Sequence, residues 1–157
     1  MFLVLYSKKL YMTSKGKPTT EMQLFHGTSD ESAVQSIFRL NFDWRMAGKN
    51  ATMYGIGSYF ATHAKYSDRY TGPPLNATQK RWMFMARVMV GKYTVGRRDL
   101  TRPPPLNAAK PHGDLYDSCV DRTDHPGVFV IFDIDQCYPE YILCYRMAPP
   151  TWGNVTT

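Results

Sequence analysis

Between Trp82 and Tyr93 the chain alternates, with Phe84, Ala86, Val88 and Val90 on one side of a two-residue period and Met85, Arg87 and Met89 on the other. A helix repeats every 3.6 residues and would scatter these side chains around its axis, so the run reads as a half-buried strand over 82–93. A strand of that length needs partners, and short apolar runs at 22–26, 58–61, 116–120, 128–132 and 141–145 supply them. A helix is predicted at 30–39, where Thr28 and Glu31 have capping-box spacing and Ala33, Val34, Ile37 and Phe38 form a helical stripe. A second, shorter helix is predicted at 62–69. The intervening stretches 12–20, 41–57, 71–79 and 96–113 read as connectors and loops, the last holding four prolines and two glycines. Five or six strands against one or two short helices define an α+β domain with a mostly antiparallel sheet. Two structureless loops as long as 41–57 and 96–113 are unusual in a small domain and point to function.

At 157 residues the chain has room for one domain and one core, and 43% hydrophobic residues suffice to build it. The net charge of +6 is uneven: residues 1–100 carry 15 Lys/Arg against 6 Asp/Glu, and residues 101–157 carry 4 against 7. A basic two-thirds suits a phosphate-bearing ligand as well as nucleic acid. No Lys/Arg run exceeds two residues and no RNA-binding fingerprint interleaves aromatics with the basic residues, so direct nucleic-acid binding by this segment is not expected. Three cysteines without CxxC spacing imply neither a disulfide framework nor a metal site. The apolar opening 1–6 stops at Lys8-Lys9, too short for a signal peptide or a membrane span. The expected setting is reducing, nuclear or cytoplasmic, and the Asn-X-Thr sequons at Asn50, Asn76 and Asn154 matter only to a secreted chain.

Three segments carry chemistry when taken together. Leu24-Phe25-His26-Gly27-Thr28-Ser29 ends a strand on a histidine beside a glycine, where a backbone can approach a ligand. Gly55-Ile56-Gly57-Ser58-Tyr59-Phe60-Ala61 sets a tyrosine after a glycine-rich entry. Val128-Phe129-Val130-Ile131-Phe132-Asp133, followed by Tyr138-Pro139-Glu140-Tyr141, is a buried strand leading into another.

In this order and spacing the segments resemble the catalytic domain of the poly(ADP-ribose) polymerase family. The likeness is strongest to the mono-ADP-ribosylating branch that carries CCCH zinc fingers and WWE domains, especially its TCDD-inducible type. Segments 41–45, 51–55, 83–90, 102–105, 115–120 and 129–141 also match, so the resemblance covers about residues 20–147. It implies an ADP-ribosyltransferase fold with a split sheet, a partial helical lead-in at 1–20 whose preceding strand is missing, a catalytic domain at 21–147 and a tail at 148–157.

Carried over by position, the resemblance makes NAD the substrate and proteins the acceptors. His26 would hydrogen-bond a ribose hydroxyl on the adenosine side. Gly27 would offer its backbone to the nicotinamide carboxamide, with a further bond from the Ser67 hydroxyl. Tyr59 would stack on the nicotinamide ring, and Tyr70, with Tyr66 the alternative, would form a second wall. Ser29 would sit near the ribose, and the loop 43–55 would close as a lid. At the third catalytic position the polymer-forming relatives place a glutamate; here it is Val128, which can accept neither a hydrogen bond nor a proton. Glu140 is the nearby carboxylate, placed by the same alignment in a turn further along. The expected activity is therefore transfer of one ADP-ribose to a protein side chain. A rival reading makes the chain a silent member of the family, an interaction module in an RNA-binding or antiviral protein; His26, Gly27 and Tyr59 favour the enzyme.

Overall fold

The computed structural model describes residues 2–29, 31–45, 52–72 and 80–146. The middle of the expected lid, the three sequons and the tail 148–157 lie outside the described residues. In chain order the elements are helix α1 (Phe2–Ser14), strand β1 (Glu21–Thr28), helix α2 (Glu31–Leu40), strand β2 (Ser58–Ala61), helix α3 (Ala64–Asp68), strands β3 (Arg81–Met89), β4 (Tyr93–Val95), β5 (Ser118–Val120) and β6 (Val128–Ile131), a 3-10 turn (Ile134–Gln136) and strand β7 (Cys137–Tyr145).

Seven strands form one sheet in the order β4-β5-β6-β2-β1-β3-β7. Neighbours run antiparallel except β4 and β5, which are parallel. The joint between β1 and β2 is weak: they pair only at Phe25 and Ala61, whereas β1 and β3 pair from Glu21↔Met89 to Thr28↔Trp82. The sheet is therefore two halves that part beside the end of β1, as a split sheet requires.

The alternation of β3 sorts its residues between two layers. Phe84, Ala86 and Val88 join Leu24, Phe60, Phe129 and Ile131 in the main core, which α2 closes with Val34 and Ile37. Each fully buried phenylalanine here contributes about 1.5–3 kcal/mol. α2 also carries Glu31 in its first turn and Arg39 in its last, both complementary to the helix dipole. Its helix begins at Glu31, and Thr28 of the expected capping box is the last residue of β1. On the opposite side α1 packs Leu5 and Met12 against Met89 and Tyr138. Ion pairs from Arg87 to Glu140 (2.8 Å) and Glu21 (3.3 Å), and from Lys9 to Glu21 (3.3 Å), tie that layer down.

Three expectations are corrected. The strand expected over 82–93 is two strands, because Gly91 turns the chain with φ 54 and the Asp117 carboxylate takes the Lys92 N–H at 2.9 Å. Tyr93 then starts β4 at the far edge of the sheet. The stretch 12–20 is a connector only after Ser14, since α1 runs that far. Finally, Glu140 is not in a turn but inside β7, whose pairing with β3 shifts register between Met85 and Ala86. Pro139 is tolerated there because β7 is an edge strand, with no outer partner to receive its missing N–H.

Candidate nicotinamide-nucleotide site

Gly27 is where α3 packs closely against β1. A Cβ on it would lie 2.0 Å from the Ser67 carbonyl oxygen and 3.0 Å from the Thr71 methyl, so only glycine lets α3 seat against β1. The Ser67 hydroxyl donates to the Phe25 carbonyl at 2.9 Å. Its proton is thereby used, and the oxygen that remains can accept a hydrogen bond, the role a carboxamide NH2 requires. Beyond Phe25 the β1 backbone has no registered partner on the β2 side.

Cross-strand register determines what shares a face with Gly27. Phe25 pairs with Ala61 and Ala61 with Val128, while Tyr59 pairs with Val130. Directly opposed residues point to the same side, so Phe25, Gly27, Tyr59, Ala61, Val128 and Val130 face α3. Tyr70 follows α3, 41% exposed, and its ring meets the half-buried Tyr66 ring at 5.9 Å between centroids. The Arg69 guanidinium lies 5.6 Å from the Tyr66 ring. Burial, and next a hydrogen bond with Tyr70, push the Tyr66 phenol well above its ordinary value. The more open ring is Tyr70.

Tyr59 is held through its hydroxyl, which donates to the Gly55 carbonyl at 2.8 Å and accepts the Tyr54 N–H at 3.0 Å. Burial, above all, keeps its phenol protonated, and the neighbouring Tyr70 adds to the rise. Gly55 has φ 129, and a Cβ there would meet the Phe132 ring at 2.7 Å. The same Phe132 accepts the Trp44 indole N–H on its carbonyl at 3.2 Å, so Trp44 and Gly55 both meet one residue just after β6.

His26 turns the other way. It is adjacent to Gly27 in a strand and so lies on the opposite face. Its ring meets the edges of Phe42 at 5.1 Å and Phe60 at 5.6 Å, on the side of the main core. His26 and Tyr59 therefore project from opposite faces of the sheet, so the candidate site is not a cluster of side chains on one face. His26 still borders the same opening, because its Nδ1 is 2.8 Å from the Tyr59 carbonyl oxygen. A carbonyl only accepts, so Nδ1 carries the proton and Nε2 of the neutral ring is an acceptor, suited to a ribose hydroxyl. Burial lowers the His26 pKa below 6.5 despite that bond.

A histidine with a depressed folded-state pKa contributes stability above about pH 6.5 that is lost as the pH falls through the folded value, because the unfolded chain takes up the proton first. Wild-type Tm is expected to drop between pH 7 and pH 5 by more than that of His26→Gln. Equal drops in the two proteins would contradict this assignment.

Ser29 is exposed, one residue past β1. Val128, only 3% exposed, opens β6, and its N–H is held by the Asp121 carboxylate at 3.0 Å beside that of Gly127 at 2.9 Å. Glu140 is excluded as a substitute base. It sits on β7, four strand spacings or roughly 19 Å from β6, and its carboxylate is taken by Arg87 and by Gln23 at 2.9 Å.

Reading the residues missed Phe42, Phe132 and the acidic anchor Asp68. Phe42 and Phe132 look like ordinary core aromatics in sequence. Asp68 bonds to Arg81 and Tyr145, 13 and 77 positions away.

A split antiparallel sheet with a glycine cradle, a hydroxyl and two tyrosines on one side of the opening and a neutral histidine on the other is of the ADP-ribosyltransferase class. Residues 6–147 match the family model of the poly(ADP-ribose) polymerase catalytic domain, and the chain belongs to that family. It is similar to human protein mono-ADP-ribosyltransferase PARP12, 45% identical over 133 residues, covering 85% of this chain and 18% of that protein. Human protein mono-ADP-ribosyltransferase PARP14 is 43% identical over 143 residues, covering 89% of this chain and 8% of its own length. Human protein mono-ADP-ribosyltransferase PARP11 is 40% identical over 143 residues, with 80% of this chain and 41% of that protein covered. The chain thus spans less than half the length of each of these curated relatives.

Proposed function

We propose that the chain is a protein mono-ADP-ribosyltransferase domain that takes NAD as substrate, releases nicotinamide and leaves one ADP-ribose on a protein side chain. The observation that carries this is the close seating of α3 on Gly27, which sets the Ser67 oxygen and the Tyr70 ring, across from Tyr59 of β2, beside a stretch of β1 backbone that has no strand partner on its β2 side. A carboxamide needs one donor and one acceptor in fixed geometry, and such a backbone offers both. The cationic pyridinium ring gains about 0.5–2 kcal/mol from facing tyrosines. In the transfer step the C1′–N bond of the nicotinamide ribose breaks with its electron pair passing to the ring nitrogen. The ribose carbon takes on oxocarbenium character before the acceptor side-chain atom bonds to it; a carboxylate acceptor bonds directly, and a protonated acceptor releases its proton to solvent. The residues described here act chiefly by orientation, holding the leaving group while the ribose is approached. His26 and Ser29 would hold the ribose. We further propose a nuclear or cytoplasmic setting, which suits three free thiols, two of them buried.

The first test is a thermal shift with NAD, followed by reaction of the unmutated chain with labelled NAD. Binding with label on protein supports the reading; absence of both would favour a silent interaction module. Tyr59→Ala is expected to lose about 10- to 100-fold in kcat/KM, equivalent to about 1–3 kcal/mol, with folding intact. Tyr70→Ala should lose a similar amount. A larger loss in Tyr66→Ala than in Tyr70→Ala would move the second wall to Tyr66, and equal automodification by Tyr59→Ala and wild type would make Tyr59 a packing residue.

A further inference from the structure

Helix α3 has five residues, too few to be stable by itself, and His63 at its N-cap makes no side-chain cap bond. Its placement must come from outside. One anchor is the Ser67 bond to Phe25; the other is the Asp68 carboxylate, which gathers groups from three elements. It accepts from the Tyr145 hydroxyl at the end of β7 and from Arg81 Nη1 at 3.3 Å at the start of β3, and weakly from the Thr71 hydroxyl at 3.4 Å. Arg81 is only 5% exposed, so its charge is bound to a partner that burial makes costly to lose. Arg81 and Tyr145 are also directly paired across β3 and β7, which points both side chains to the α3 face.

The anchor is mechanically continuous with the site. Ser67, whose carbonyl defines the Gly27 cradle, immediately precedes Asp68. Thr71, fully buried, donates its hydroxyl to the Asp68 carbonyl at 2.8 Å and presses its methyl toward Gly27. Tyr70 is bracketed between the two.

We propose that Asp68, Arg81 and Tyr145 are positioning residues that fix the nicotinamide subsite from the outer edge of the sheet, by locking α3 so that Ser67 and Tyr70 keep their places against Gly27. This rests on the transferase reading above. The three residues touch no substrate in it; they act through α3. Because the adenosine side of the site depends on β1 and His26 instead, loosening α3 weakens recognition of the nicotinamide half alone.

The test uses the full 157-residue chain and measures three affinities for wild type, Tyr145→Phe and Asp68→Asn: NAD, free nicotinamide and ADP-ribose, which lacks the nicotinamide. Tyr145→Phe removes a single oxygen and keeps the packing, so it remains interpretable where Asp68→Asn is more disruptive. The expected result is a fall of about 5- to 20-fold in kcat/KM for NAD. Nicotinamide affinity should fall in parallel while ADP-ribose affinity stays at the wild-type value. Equal weakening of nicotinamide and ADP-ribose, or no change in either, overturns the proposal. Failure of wild type to bind NAD and ADP-ribose at all would instead overturn the transferase reading on which it stands.

Discussion

Gly27→Ala is expected to lower kcat/KM for NAD by about 100-fold or more while the protein stays folded. The added methyl carbon would lie 2.0 Å from the Ser67 carbonyl oxygen, a distance that carbon and oxygen do not tolerate, and 3.0 Å from the Thr71 methyl. Neither obstacle is a flexible side-chain end: one is backbone, and the other belongs to a residue with no exposed surface. Relief therefore requires α3 to move away from β1 by about an ångström. A displacement of that size between binding groups costs on the order of 100-fold in rate when catalysis rests on orientation. The accompanying loss of stability should be about 1–3 kcal/mol, typical of an overpacked contact. Gly91→Ala separates the two effects. It meets the Asp117 side chain at 2.5 Å and must adopt φ 54, so it too should lower Tm, but it lies at the turn into β4 and leaves α3 alone. If Gly27→Ala keeps its activity, or loses no more than Gly91→Ala at equal Tm, the cradle is a packing detail and not a binding surface.

The limits of the sequence reading follow from its range. Alternation in β3 was visible because each residue reports its own face, and the same rule, applied to neighbours, separates His26 from Gly27. Alternation passes straight through Gly91, however, because a left-handed turn leaves the apolar pattern on both sides unchanged. Only Asp117, distant in the chain, shows why the strand stops there. β7 was under-read for a related reason: Pro139 is a strand breaker in a central position and harmless at an edge, and strand order is not written locally. The motif residues Gly27, Tyr59 and Ser67 could be singled out as candidates through their resemblance to the family. The residues that hold them could not, since Phe132 and the Asp68–Arg81–Tyr145 anchor become neighbours only when the sheet forms.

On the transferase reading proposed above, Val128 would set the product. It shares a face with Tyr59 and Ala61, is 3% exposed, and has its N–H fixed by Asp121, so its position in the cleft is set by the backbone. A side chain without lone pairs cannot accept from a ribose hydroxyl or deprotonate an incoming one, and chain growth needs the second of these. The expected product of the unmutated chain with labelled NAD is therefore one ADP-ribose per modified site, running as a single shifted species on a gel. Val128→Glu would return a carboxylate to the strand but is not expected to return polymer. The valine fills its space, so the longer acid would be buried without a prepared partner, its pKa raised by desolvation and its basicity available only in a protonation state that burial opposes. A cost of about 2 kcal/mol follows, a fall of roughly 4–8 °C in Tm for a domain of this size. Polymerisation would also need a surface such as the loop 96–113 to hold an incoming ADP-ribose, a separate demand that one substitution does not meet. A ladder of long chains from the unmutated protein would refute single transfer outright. A ladder appearing only in Val128→Glu would show instead that the missing carboxylate was the sole barrier and that the loop can already accept a growing chain.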